Sequence, residues 1–318
     1  MKADIDVSVV IVNYNADELL NECLISLYKY TEWINFEVIV IDNNSTIGNV
    51  ENVVSGYDRL ILIKNDKNSG FGAANNQGLK VANGNYVLFL NSDTIFIENV
   101  IKSVYEFAVN QTSPSIVGCK ILNLNKTLQK SVYDFPSILN VITSNLFLYA
   151  LFPKSKYFNK YHQMNKQISD ITEVDVVTGA FLLIEHSSAV ELNGFDERFF
   201  LYNEETDLCN RFKKTGNKVY YYPLASIIHL KGGSTNKNLR ARYRNESLAT
   251  VQYFQKHFQG YKYYIAVLVH YLGRVIRIPI FFIISLITFN RKLLMRAYYI
   301  LLDLFIYPKN LFKNWTHY

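Results

Sequence analysis

Apolar runs and polar breaks divide the first half of the chain into a regular alternation. VSVVIV (7–12), FEVIVID (36–42), RLILIK (59–64) and YVLFLN (86–91) are short, nearly unbroken apolar stretches, as in strands buried on both faces. DELLNECLISLYKY (17–30), FGAANNQGLKVA (71–82) and ENVIKSVYEFAV (98–109) predict helices between and after them, the first with acids in its opening turn. SIVGCKIL (115–122) predicts a fifth strand. Strand and crossover helix in alternation predict an α/β fold on a mostly parallel sheet covered by helices on both faces. Polar residues gather where the strands end: Asn13 and Asn15, Asp42 and Asn43, Asn91 and Asp93. In open α/β sheets the ligand crevice lies outside those carboxyl ends.

Periodicity fades over 123–172, which reads as a loop-and-helix insertion rich in Asn, Lys, Tyr and Ser. It returns at VDVVTGAFLLIE (174–185), followed by a short helix, the acidic stretch FFLYNEETDLCNR (199–211) and the strand KVYYYP (218–223). From Tyr261 onward aromatic and aliphatic runs are punctuated by Arg and Lys. A bilayer span needs about 20 apolar residues. The longest uncharged run there, 278–290, has 13, and Arg274 and Arg277 interrupt what precedes it. The pattern predicts helices lying in a membrane interface, or a helical subdomain packed on the core or on a second copy. The expected division is a catalytic domain over 1–255 and a basic, aromatic-rich tail over 256–318.

Charge sharpens that division. Of the net +6, residues 256–318 hold nine Lys/Arg and one acid, a surplus of +8, and the remainder sums to −2. A basic tail suits anionic lipid, and its apolar density argues against nucleic acid. Cys23, Cys119 and Cys209 show no metal or redox spacing and read as buried thiols in a reducing compartment. The run 7–12 is too short for a signal peptide, so a cytoplasmic protein is expected.

The candidate chemistry sits at the strand ends. Asp93, with Asn91 two residues before it, offers oxygen to a hard divalent cation that bridges protein to phosphate. His229, ending ASIIH and preceding Gly232, Gly233 and Ser234, is a candidate second ligand. Asp42 can accept from a base N–H or ribose hydroxyl. KNSGFGAANN (67–76) places glycines before a helix start, where amides meet phosphate or ribose. It is neither GxGxxG nor a P-loop, which argues against dinucleotide oxidoreductases and P-loop NTPases. Glu204 and Glu205 begin a helix whose dipole favours negative charge. A carboxylate there can also serve as general base toward an incoming hydroxyl. Asp207 stands one turn ahead of Arg211, the spacing of a helix-holding ion pair.

SVVIVNYN, VIVIDNNST, NSGFGAANNQGL, YVLFLNSDT, TGAFLLIE, GFDERFFLYNEETDLCNR and IIHLKGGST together resemble, in order, family 2 glycosyltransferases of the GT-A fold. The likeness spans residues 7–235 and is nearest the rhamnosyltransferase-type branch that builds bacterial surface polysaccharides. It implies an inverting transferase using a nucleoside-diphosphate sugar with Mg²⁺ or Mn²⁺. Asn13, Asn15 and Asp42 would hold the nucleotide, with Asn68, Gly70, Asn75, Asn91 and Ser92 along the same cleft. Asp93 matches the metal-binding acid of the DxD-like motif, His229 a further metal ligand, and Glu205 the base. The chain departs from the pattern twice. Asn91 stands where the first Asp of DxD is usual, and Glu205 where the branch more often has Asp, so Glu204 remains a rival base. The expected donor is dTDP-L-rhamnose, with a UDP-hexose or galactofuranose donor, or a non-catalytic nucleotide-sugar scaffold, as alternatives. The expected partners are a lipid-linked or polysaccharide acceptor and the inner face of the cell membrane.

Overall fold

The computed structural model describes residues 5–152, 154–155, 157–158, 168–230 and 239–304. The glycines at 232 and 233, Ser234, and the tail beyond 304 lie outside the described residues. The chain forms two compact units, Met1–Phe135 with Met164–Lys237, and Pro136–Gln163 with Asn238–Tyr318.

In the first unit the strands β1 (Val7–Asn13), β2 (Phe36–Asp42), β3 (Leu60–Lys64) and β4 (Tyr86–Asn91) pair in parallel in the order β3-β2-β1-β4. Helices α1 (Asp17–Tyr30), α2 (Val50–Val54) and α3 (Phe71–Val81) connect them. Alternate residues serve opposite faces, as the pleat requires. Val7, Val9 and Ile11 pack with Leu20, Leu24 and Leu27 of α1, while Val10, Ile39 and Phe89 pack with Ala74 and Leu79 of α3. Each such side chain, fully buried, contributes about 1.5–3 kcal/mol. At Gly78 a Cβ would stand 2.3 Å from Val10 Cγ1, so only glycine lets α3 lie this close to β1.

Beyond β4 the sheet becomes mixed. β5 (Thr94–Phe96), α4 (Val100–Val109) and β6 (Ser115–Leu122) precede the short strands β7 (Leu128–Gln129) and β8 (Val132–Tyr133). β9 (Thr172–Val174), β10 (Val176–Val177) and β11 (Phe181–Glu185) follow, then α7 (His186–Glu191), α8 (Glu204–Lys214) and β12 (Lys218–His229). β11 lies antiparallel between β4 and β6, β12 runs parallel to β6, and β5 closes the edge antiparallel to β12. The strand expected at 218–223 runs on to His229, because a bulge between Tyr222 and Ser226 absorbs Pro223.

The second unit contains α5 (Ile138–Asn145), α6 (Leu148–Leu151), α9 (Leu239–His257), α10 (Tyr261–Thr288) and α11 (Arg291–Leu304). This unit takes in Pro136–Gln163 and Asn238–Tyr318, where the sequence reading divided the chain at 255/256. Packing of α9 on α10 and α11, and of α5 on α10, draws 238–255 and 136–163 into the same body as the tail. α10 is a single 28-residue helix whose mean hydropathy reaches 1.8, long and apolar enough to cross a membrane. The two arginines that break its apolar run face the unit's interior. Arg274 is buried, and Arg277 donates to Asn145 Oδ1 at 2.8 Å and to the Ser144 carbonyl at 2.7 Å while stacking on Phe147.

Candidate active site

Parallel register lines up the polar strand ends. Asn13 faces Asp42 across β1 and β2, and Asn91 of β4 faces Val12, one residue before Asn13. Asp42 is buried and accepts from Asn13 Nδ2 at 2.9 Å and from the Ser45 hydroxyl at 2.6 Å. Asn13 Oδ1 is buried with no hydrogen-bond donor among the described residues. Asn15, in the left-handed region at φ 53, accepts from the amides of Thr46 and Ile47 and so shapes the neighbouring loop.

The next wall is the loop before α3, and its organiser is Asn43. The Asn43 amide nitrogen donates to Asn68 Oδ1 at 3.0 Å and to the Gly70 carbonyl at 3.2 Å. Its oxygen accepts from Asn65, the Ser69 amide and the Ser69 hydroxyl. Gly70, at φ +90, could not take a Cβ, which would meet the Phe200 carbonyl at 2.6 Å. That carbonyl accepts from the Phe71 amide, joining the FFLYN segment to the start of α3. Asn76 fixes the same segment further back, bonding both the amide and the carbonyl of Phe195. Asn75 does not join the crevice group: it is fully buried and donates to the Phe71 carbonyl.

β5 carries the chain from Asp93 straight into pairing with β12, which sets Thr94 opposite His229. The Asp93 carboxylate and the His229 ring therefore meet, Oδ1 to Nε2 at 3.1 Å, with Asn91 Nδ2 3.2 Å from the same nitrogen. Ser92 is half-buried between them in sequence. The other ring nitrogen, Nδ1, lies 2.7 Å from Gln129 Oε1. Among the described residues no three His, Cys, Asp or Glu side chains gather for a closed metal site. Asp93 and His229 instead bring one carboxylate oxygen and one imidazole nitrogen together. That donor set fits Mg²⁺ or Mn²⁺ completed by phosphate oxygens and water.

Glu204 and Glu205 enter through a tight turn. Tyr202 and Asn203 are both left-handed, at φ 75 and 65, and swing the chain directly into α8. Gly179 lies against Glu205, a Cβ there standing 3.6 Å from Glu205 Cβ, and the next residue, Ala180, accepts the Asn91 amide. The Glu205 backbone is thus next to the strand that carries Asn91 and leads to Asp93. The two glutamates differ in surroundings. Glu204 is 4 % exposed with Oε2 lacking a donor, and burial, then the charge of Glu205, hold its pKa well above the usual carboxylate range. Glu205 is partly accessible and its carboxylate accepts from Thr206 Oγ1 at 3.3 Å; burial raises its pKa while backbone and Thr206 hydrogen bonds act against the rise. Burial thus raises both carboxyls, and the charge of Glu205 adds to the rise at Glu204.

The third acid belongs to the scaffold. Asp207 has no exposed surface and pairs with Arg211 Nε at 2.7 Å, while Arg211 also donates to the carbonyls of Leu192 and Gly194. A buried carboxylate stripped of such a partner costs about 3–5 kcal/mol. Asn76, Gln129 and Gly179 are site-building residues that sequence reasoning did not single out, and Asn43 it noted only as a polar strand end.

A parallel sheet with these polar ends, closed by an antiparallel strand and a β5–β12 edge, defines the GT-A fold of glycosyltransferases. Residues 8–184 match the family described as "Glycosyl transferase family 2", and the chain belongs to it. It is 27 % identical over 241 residues to the N-acetylglucosaminyl-diphospho-decaprenol L-rhamnosyltransferase of Mycobacterium tuberculosis, covering 72 % of this chain and 78 % of that protein. It is 26 % identical over 258 residues to the rhamnosyltransferase WbbL of Escherichia coli, covering 79 % and 93 %. Among solved structures, the mannosyltransferase PcManGT of Pyrobaculum calidifontis, in complex with GDP-Man and Mn²⁺, is similar at TM-score 0.58 and 14 % identity, over 98 % of this chain and 89 % of that one. TarS residues 1–349 of S. aureus is similar at TM-score 0.51 and 17 % identity, over 84 % and 70 %. At such identities these structural likenesses speak for the fold.

Proposed function

We propose that this glycosyltransferase transfers L-rhamnose, with inversion, from dTDP-rhamnose to a hydroxyl of a lipid-diphosphate-linked or polysaccharide acceptor in bacterial surface polysaccharide synthesis. The observation that carries the reading is the Asp93–His229 pair at the end of β4 with Glu205 against Gly179 beside the same strand. The rhamnosyltransferase relatives supply the sugar. Asn13 and Asp42 would floor the nucleotide end, with the Asp42 carboxylate suited to a base N–H or ribose hydroxyl. Asp93 and His229 would hold Mg²⁺ or Mn²⁺, which when bound offsets charge on the diphosphate leaving group. Glu205 takes the proton of the acceptor hydroxyl, whose oxygen forms the new bond to the anomeric carbon from the face opposite the diphosphate. The old C–O bond breaks as the nucleoside diphosphate leaves, so one displacement inverts the centre. Glu204 is the more buried of the two, and the partly accessible Glu205 is the one an acceptor hydroxyl could reach. The test is turnover with a panel of dTDP-rhamnose, UDP-glucose, UDP-galactose and UDP-galactofuranose on an N-acetylglucosaminyl-diphospho-lipid, with Mn²⁺ and with chelator. The expected result is preference for dTDP-rhamnose, loss with chelator, and an inverted product; preference for a UDP donor overturns the sugar assignment.

The second unit supports attachment to the inner face of the cell membrane, where a lipid-linked acceptor is met. Leu268, Leu272, Val275, Phe282, Ile283 and Leu286 of α10 are exposed along one side, while Arg274 and Arg277 face the other. An apolar stripe opposite a polar one suits a helix lying in the interface, and exposed Lys262, Arg291 and Lys292 suit anionic headgroups. Phe282→Glu/Ile283→Glu is expected to lower binding to phosphatidylglycerol vesicles by about tenfold or more, since two apolar anchors are lost. Unchanged flotation of that variant with vesicles removes the membrane role.

A further inference from the structure

We propose that Gln129 is a positioning residue that locks the His229 ring with its proton on Nδ1 and its lone pair on Nε2, turned to Asp93. The inference rests on reading Asp93 and His229 as a cation site, and concerns what holds one ligand ready.

The orientation of the Gln129 amide is fixed by what surrounds it. Its nitrogen lies 2.9 Å from the backbone carbonyl of His229 and 3.0 Å from Asn123 Oδ1. A backbone carbonyl only accepts, so the NH₂ end must face it and the oxygen end must face the ring. That oxygen is 2.7 Å from His229 Nδ1, which must therefore donate and carry the proton. In this tautomer Nε2 bears a lone pair, because the hydrogen bond made by one ring nitrogen decides the state of the other. The Asn91 amide can donate to it from 3.2 Å, but Asp93 Oδ1 at 3.1 Å is a second lone-pair atom. Two such atoms repel at this distance unless a cation binds to both or Nε2 also carries a proton, and the imidazole spectrum below distinguishes the two.

Gln129 is suited to the task by position. It is 3 % exposed and sits in the two-residue strand β7, paired through Ile121 to β6, so its amide has no solvent alternative. It grips both the ring and the main chain of residue 229, which fixes rotation about the side chain as well as the tautomer. Partners of metal-ligating histidines commonly change metal affinity 10–100-fold when removed.

The test uses the full chain with Mn²⁺ in the presence of dTDP or UDP, followed by electron paramagnetic resonance. Gln129→Met, of similar length but unable to hydrogen-bond, is expected to weaken Mn²⁺ binding about 10–100-fold. A long-range ¹H–¹⁵N imidazole spectrum of the metal-free wild type, with His229→Ala for assignment, is expected to show the Nδ1–H form at residue 229. The same spectrum of Gln129→Met should lose that preference, a change that simple loosening of β7 would not impose. Wild-type Mn²⁺ affinity in Gln129→Met, or an Nε2–H ring in the wild type, overturns the positioning role. Asp93→Asn in the same titration separates the two ideas: binding as tight as wild type removes the cation site itself, whereas weakened binding there with unchanged binding in Gln129→Met removes only the role of Gln129. The spectrum of the wild type decides even if the Met variant does not fold.

Discussion

Glu205→Gln lowers kcat by about 10²–10⁴-fold, the usual contribution of a positioned general base, while nucleotide and Mn²⁺ affinities stay within a few-fold of wild type. The amide keeps the shape and the Thr206 contact of the carboxylate but cannot take a proton. Glu204→Gln is expected to behave in the opposite way, retaining most turnover. Its effect appears in stability. A buried acid whose pKa is raised in the folded chain binds more protons there than in the unfolded chain, once pH exceeds the ordinary glutamate value of about 4.3. Stability then falls as pH rises through that window, and removing this titrating group removes its share of the fall, Glu205 keeping its own. Thermal melts of Glu204→Gln should match wild type near about pH 4 and exceed it near about pH 8. If Glu204→Gln loses turnover and Glu205→Gln keeps it, the two roles are reversed.

The central sheet was legible because its strands are buried on both faces and so announce themselves as unbroken apolar runs. The strand ends were legible for the complementary reason, since polar side chains there have no place in a core. The antiparallel insertion of β11 between β4 and β6 was not, because FLLIE reads the same in either direction. β5 is three residues long, too short for any period, yet its pairing with β12 brings Asp93 to His229. In the sequence both residues read as candidate ligands of one cation at polar strand ends, but the short strand that joins them was not predicted. Gln129 was invisible because it lies in the stretch 123–172, where a two-residue strand and side-chain hydrogen bonds, not apolar packing, set the geometry. In α10 the charges fall on one side for a physical reason. Arg274 and Arg277 interrupt an apolar run when counted along the chain, but one turn of a helix puts both on the inner side and leaves the outer side apolar.

Asp93→Asn is expected to lower metal-dependent turnover by about 10²–10³-fold, the scale for removing one group that stabilises developing charge. It is also expected to weaken Mn²⁺ binding in the presence of nucleotide. The substitution isolates charge from shape. An asparagine at 93 can donate to the His229 lone pair at the same spacing, and the Asp93 carbonyl that accepts from the Leu230 amide is untouched, so the β5–β12 edge keeps its hydrogen bonds. The melting temperature should therefore stay near that of the wild type even as the cation is lost. On the proposed reading Asp93 would carry more than usual, because the neighbouring motif position is Asn91, an uncharged amide whose nitrogen is already turned to His229. With one carboxylate where two are common, no second acid can substitute when Asp93 is removed. Asn91→Asp should accordingly tighten Mn²⁺ binding in the wild-type background and recover part of the affinity lost in Asp93→Asn. Should Asp93→Asn titrate Mn²⁺ like the wild type and turn over at its rate, charge stabilisation at the diphosphate would have to come from side chains elsewhere in the cleft.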